Sequence, residues 1–201
     1  MEPTERKEMI LQEAKKLFAV KGYYQTQISD IIREAGIARG TIYQYFKNKE
    51  DLFVSLLEKY YSQWEKNAYL AEDLDLAAVS PREYFFHRIR RTLEFFAQDQ
   101  DVCRIYLRMG LGLPGELEST ISRFEKKIED IIVNDLNLGV RNGHVPEDMD
   151  VRLVANLLGG ALLRTAYLYF GSGVDPDFDL DRAARKICDI LSPAIFLPSV
   201  P

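Results

Sequence analysis

Ile31-Ile32-Arg33-Glu34-Ala35-Gly36-Ile37-Ala38-Arg39-Gly40-Thr41-Ile42-Tyr43-Gln44-Tyr45-Phe46 places two short helical patterns on either side of a glycine. Before the glycine, Ile28, Ile31, Ile32 and Ala35 recur at three- and four-residue intervals, the spacing of one helix face. After it, a helix over about 38–45 returns Ile42 and Phe46 to the core. Ala35 is small enough for the two axes to approach, Gly36 accepts the positive φ of a tight turn, and Ile37 fills the gap beneath. Arg39, Gly40, Thr41, Tyr43 and Gln44 are left on the outer surface of the second helix. None of them is acidic, and a helix-turn-helix presents such a surface to a major groove.

Working outward, the helical period holds nearly everywhere. A helix over 5–21 carries Ile10, Ala14, Leu17 and Phe18, with Gly22 as its stop. Thr26 can cap the helix that holds Ile28, and Asn48 a long one from Lys49 to roughly Leu70, about 30 Å at 1.5 Å per residue. Ser80-Pro81-Arg82-Glu83 reads as a capping box opening a helix to about Gln98. Further helices are expected over 101–111, from Glu116 to a stop at Asn142-Gly143, from a cap at Asp148 to Phe170, and from a cap at Asp179 over 180–196. No segment alternates with period two. The expected fold is all-α with about nine helices: a head over 1–48 that carries the helix-turn-helix, and a helical body over 49–201.

Composition narrows the function. Of 201 residues, 47% are hydrophobic, enough for a core without staples. Cys103 and Cys188 lie in apolar periodic segments and read as reduced core thiols, and neither stands at metal-ligand spacing from His87 or His144. Met1 to Glu13 is charged, unlike a signal peptide, and no run of 18 apolar residues occurs, so a cytoplasmic protein is expected. The net charge of −5 argues against indiscriminate coating of nucleic acid. Its distribution is uneven: residues 1–50 hold nine basic and seven acidic side chains, leaving −7 on the remainder. No nucleophile–base set, metal spacing or glycine-rich phosphate loop stands out, so no enzyme and no cofactor are expected; a helical enzyme or a protein–protein adaptor stays as the alternative.

From Gly22-Tyr23-Tyr24-Gln25-Thr26 through Ile31–Phe46 to Lys47-Asn48-Lys49-Glu50-Asp51-Leu52, the chain resembles the N-terminal signature of the TetR family of transcriptional regulators. That resemblance implies a homodimeric repressor that binds a palindromic DNA operator and is released by a small-molecule effector. Carried over by position, it assigns Arg39, Thr41 and Gln44 to base edges, with Gly40 allowing close approach; Arg39 suits guanine and Gln44 adenine. It assigns Thr26, Gln27, Tyr43, Tyr45 and Lys49 to phosphates. Tyr45 also suits the core, and Phe46 belongs there. Many members have Ser or Thr where Ala38 stands, so the recognition helix lacks a side-chain cap here.

The body is read more coarsely. The helix over 148–170 is apolar all round and must be buried on more than one side, either in a monomer's core or against a second copy. The resemblance favours the dimer, with Leu158, Gly159, Leu162, Ala184, Ile187 and Leu191 as candidate interface residues. Arg88 falls inside the apolar arc of the helix over 81–98, and Arg164 among leucines of its own helix. Each guanidinium needs an internal carboxylate, several carbonyls or an anionic ligand. Tyr84, Phe85, Phe95, Phe96, Tyr106, Met109 and Phe124 would line the accompanying pocket. Gly22–Leu52 and Met149–Leu153 look similar to regulators of fatty-acid degradation, which implies acyl-CoA as effector. Arg104 and Arg108 then either meet its phosphates or form a solvated basic stripe. The helix over 49–70 would carry the ligand signal to the head.

Overall fold

Glu2 and Glu5 close a reciprocal capping box around Pro3, so the first helix, α1 (Pro3–Lys21), starts two residues before the expected position 5. It buries Ile10, Leu11, Ala14, Phe18 and Ala19 and ends at Gly22, whose φ is +81°. The computed structural model describes residues 2–68, 79–108, 116–171 and 178–198.

α2 (Ile28–Glu34) is capped by Gln27 in a reciprocal box with Asp30, not by Thr26. Thr26 turns inward instead, its hydroxyl donating to the Gly22 carbonyl at 2.8 Å and so closing the end of α1. At the turn, the Gly36 N–H donates to Arg33 O and the Ile37 N–H to Ile32 O, both at 3.2 Å, with Gly36 at φ +62°. This is a Schellman stop. α3 (Arg39–Ile42) is α-helical for only four residues. It then tightens, with the N–H groups of Gln44 and Tyr45 reaching carbonyls three residues back. α4 (Lys49–Ala68) has its expected cap, Asn48 Oδ1 accepting from the Asp51 N–H at 2.8 Å. Phe18, Ile31, Ile42, Phe46, Leu52 and Phe53 close the head's core, with the rings of Phe18 and Phe53 edge to face at 4.8 Å.

The body follows with α5 (Pro81–Gln98), α6 (Gln100–Arg108), α7 (Glu116–Arg141), α8 (Val151–Phe170) and α9 (Leu180–Ile195), giving nine helices and no strand among the described residues. Ser80 caps α5 by accepting from the Glu83 N–H, but the Glu83 carboxylate turns to His87, so only half of the expected box forms. α7 ends in a second Schellman stop: Gly143, at φ +70°, donates to Val140 O and His144 to Gly139 O. Asp150, not Asp148, caps α8, while Asp179 caps α9 as expected. α5 lies along α9, tied by Arg82–Asp189 at 2.8 Å and Arg90–Asp181 at 2.6 Å, and α7 lies along both α8 and α4. The head meets the body where α1 crosses α6, near a Lys15–Asp99 pair at 2.6 Å, and along α4, where Lys59 pairs with Glu8. Cys103 and Cys188 are buried free thiols, and burial pushes Cys103 up to about 12.

α8 is by length and mean composition apolar enough to cross a membrane, the one such helix among the described residues, although Arg152, Asn156 and Arg164 interrupt its apolar run. Its apolarity is divided between two faces. Ala155, Leu158, Gly159, Ala166 and Phe170 pack inside the chain, while Leu153, Leu157 and Leu168 are exposed.

Candidate nucleic-acid interface and internal cavity

The Gly36 stop aims α3 away from the sealed head. Arg39, Gly40, Tyr43 and Gln44 are exposed and Thr41 is half-buried, while Ile42 and Phe46 anchor the same segment from beneath. A Cβ at Gly40 would meet nothing within 4 Å, so the glycine holds open a place where another backbone can approach. Ala38 caps α3 without a side-chain bond, as its identity requires. Gln27 is exposed and Tyr45 half-buried.

Two expected phosphate contacts are corrected. Thr26 is fully enclosed, its hydroxyl committed within the chain, and reaches no surface. The Lys49 Nζ donates to Tyr23 O at 2.8 Å and Thr26 O at 3.0 Å, and it stands 4.2 Å from the centroid of the Tyr23 ring. Two carbonyls and one π-face occupy its three donors. Burial lowers its pKa, as expected for an ammonium turned inward. Lys49 therefore clasps the turn after α1 to the first turn of α4.

Inside the body, a cavity of about 220 Å³ lies between α5, α7 and α8. Tyr84, Phe85, Arg88, Phe95 and Phe96 line it as expected, and Trp64 contributes from α4. The end of α9 closes it: Phe196 meets Phe85 edge to face at 5.8 Å, and the Leu197 N–H donates to His144 O at 2.9 Å. Sequence reasoning missed the α7 wall, Ile128, Ile131, Ile132 and Asp135, whose three- and four-residue spacing with one acid in register was the available signal.

Arg88 finds an internal carboxylate. Its Nε donates to Asp135 Oδ2 at 2.9 Å, and the Tyr84 hydroxyl donates to Oδ1 at 3.1 Å. Burial pushes the Asp135 carboxyl up, an effect that Arg88 partly offsets. Burial and the Asp135 charge push Tyr84 up to about 12.

The other expected pocket residues fall elsewhere. Phe124 stacks on Tyr61 at 3.8 Å and borders a separate surface cleft between α4 and α7. Arg164 is exposed, held over the Tyr167 ring. Met109 and the side chain of Tyr106 lie outside the described residues, as does the side chain of Arg108. Arg104 forms no solvated stripe; its Nε donates to Gly171 O at 2.9 Å beyond the end of α8.

Of the expected interface residues, Leu158, Gly159 and Ala184 are buried within the chain, and Leu162, Ile187 and Leu191 are half-buried. Leu158, Gly159 and Leu162 line the cavity. The exposed stripe is one step round the helix: Leu153, Leu157, Gly160, Arg164 and Leu168, with Ile190 of α9 exposed at 73%.

Residues 10–56 match the bacterial regulatory proteins of the tetR family. Over 191 residues, covering 90% of this chain and 91% of the other, the chain is 29% identical to the fatty acid metabolism regulator protein of Bacillus subtilis (strain 168). Among solved structures, the transcriptional regulator FadR from Bacillus subtilis, in complex with stearoyl-CoA, is similar at a TM-score of 0.78 and 28% identity, over 93% of this chain and 98% of that one. The fatty acid degradation regulator FadR from Bacillus halodurans shares the fold at a TM-score of 0.80 and 24% identity, over 96% of each chain. These relatives are transcriptional regulators, not enzymes.

Proposed function

We propose that this chain, a transcriptional regulator of the tetR family, acts as a homodimeric cytoplasmic repressor whose cavity takes an acyl chain, delivered as an acyl-CoA thioester. The observation that carries the reading is the exposed face of α3 over a sealed head, joined by one helix, α4, to a hollow body. Arg39, Thr41 and Gln44 would read base edges with Gly40 permitting close approach, and Gln27, Tyr43 and Tyr45 would bind phosphates. The head is assigned to residues 1–48 and the effector and dimer functions to 49–201.

Leu153, Leu157 and Leu168, exposed along one face of α8 around Arg164, and Ile190, exposed on α9, would meet a second copy of the chain, which would take these large apolar side chains out of water. Half-sites about 34–36 Å apart then fit successive turns of the groove. Ligand that prefers one tilt of α4, through Trp64 at the cavity wall, changes the spacing of the two heads. The test is an electrophoretic shift with DNA from upstream of the protein's own gene, with lauroyl-CoA added. A salt-sensitive, sequence-dependent complex that the thioester dissolves is expected; a shift equal on random DNA, or none, rejects the reading.

A further inference from the structure

One wall of an apolar cavity carries a complete ion pair, which restricts what can enter. Arg88 would attract an acidic headgroup, but its Nε already holds Asp135 Oδ2 at 2.9 Å. Tyr84 takes the other carboxylate oxygen at 3.1 Å. The carboxylate itself faces the cavity, and so does Arg88. An anionic ligand reaching the remaining N–H groups of the guanidinium would share that one cation with the Asp135 carboxylate. Two carboxylates side by side in partly desolvated surroundings strongly disfavour both being charged. An uncharged carbonyl beside the same pair meets no such repulsion. The other ionisable groups among the described lining residues are Arg91 and His144, and Arg91 is itself engaged within the chain.

Resting on the reading of this cavity as an acyl-chain site, we infer that Asp135 is a specificity-determining residue: it keeps Arg88 occupied, so that the cavity accepts acyl chains capped as esters, thioesters or amides and turns away the free carboxylic acid. A regulator built this way reports the activated acyl group and ignores the acid from which it is made.

Trp64, the one tryptophan of the chain, stands on the cavity wall, so its fluorescence reports binding directly. Titrations at pH 7.5 with lauroyl-CoA, dodecanamide and dodecanoate would be followed through Trp64 and by calorimetry. The wild-type protein is expected to bind the first two at least about tenfold more tightly than the third. Asp135→Asn, nearly isosteric, is expected to tighten dodecanoate by about tenfold or more and to leave dodecanamide within about threefold. Adding Arg88→Gln should remove that gain. Equal wild-type affinity for dodecanoate and dodecanamide, or no gain in a folded Asp135→Asn protein, overturns the inference while leaving the acyl site standing. Binding of none of the three overturns the acyl site and the inference together. Should Asp135→Asn fail to fold, the wild-type ranking alone decides.

Discussion

The same turn is built twice in this molecule, and the two copies serve opposite ends. Gly36 and Gly143 each close a helix with a Schellman stop, at φ +62° and +70°. In the head, the stop launches α3 over a core in which Phe18, Ile31, Ile42 and Phe46 are 2% exposed or less. In the body, the stop turns the chain beside a cavity of about 220 Å³, and His144, just past the glycine, is one of its lining residues. Close packing holds a reading surface in one shape; a void lets a wall take more than one. The head is solid where register matters, and the body is hollow where something must enter.

The largest expected effect tests that contrast by truncation. Phe18→Ala should destabilise the protein by about 3–5 kcal/mol, because a sealed core cannot collapse around the loss. Ile131→Ala, half-buried on a wall that already faces a void, should cost about 2 kcal/mol, the low end for such a truncation. Equal costs in denaturant unfolding would break the contrast. Next, Arg39→Ala should lose about 1–3 kcal/mol of specific DNA affinity and relax preference at one base pair. Lys49→Met should leave the salt slope of DNA binding unchanged, since its ammonium is committed internally. A slope flatter by about one unit would restore Lys49 as a phosphate contact.

Smaller again are Gly36→Ala and Gly143→Ala. A Cβ at either glycine meets nothing within 4 Å, so left-handed strain alone should cost about 1–2 kcal/mol in both. The readouts should separate, DNA affinity falling in the first and lauroyl-CoA affinity in the second. The smallest effect concerns pH and has opposite signs in the two regions. Asp30, in the head, is held below its ordinary pKa chiefly by the Lys21 hydrogen bond; it stabilises the fold above about pH 4, and that contribution is lost on acidification through its lowered value. Burial raises Asp135, so its charged form costs the fold and the cost disappears as pH falls through its raised value. Acid titrations of stability should therefore flatten with Asp30→Asn and steepen with Asp135→Asn.

The head was legible because its signals are local. A small residue, a glycine and a half-buried isoleucine in succession define the stop at Gly36, and each hydrogen bond spans five residues or fewer. Thr26 was misread because a hydroxyl before a helix can cap outward or tie inward, and nearby sequence does not distinguish the two. On α8, leucines stand all round, so periodicity could not tell Leu158 and Leu162, facing the cavity, from Leu153 and Leu157, facing outward. Arg88 showed its need of a counter-charge, but Asp135 lies 47 residues away, and only the fold, which sets α7 and α5 as walls of one cavity, brings them together.

The Lys49 clasp bears on where this molecule can bend. Neither counter-ions nor duplex are needed to keep its ammonium in place, so the first turn of α4 and the segment after α1 behave as a welded joint. A weld passes rotation on without absorbing it, and the compliance must then sit elsewhere along the seam. That leaves the crossing of α1 over α6, beside the Lys15–Asp99 pair at the start of α6, as the pivot on which the whole head would swing.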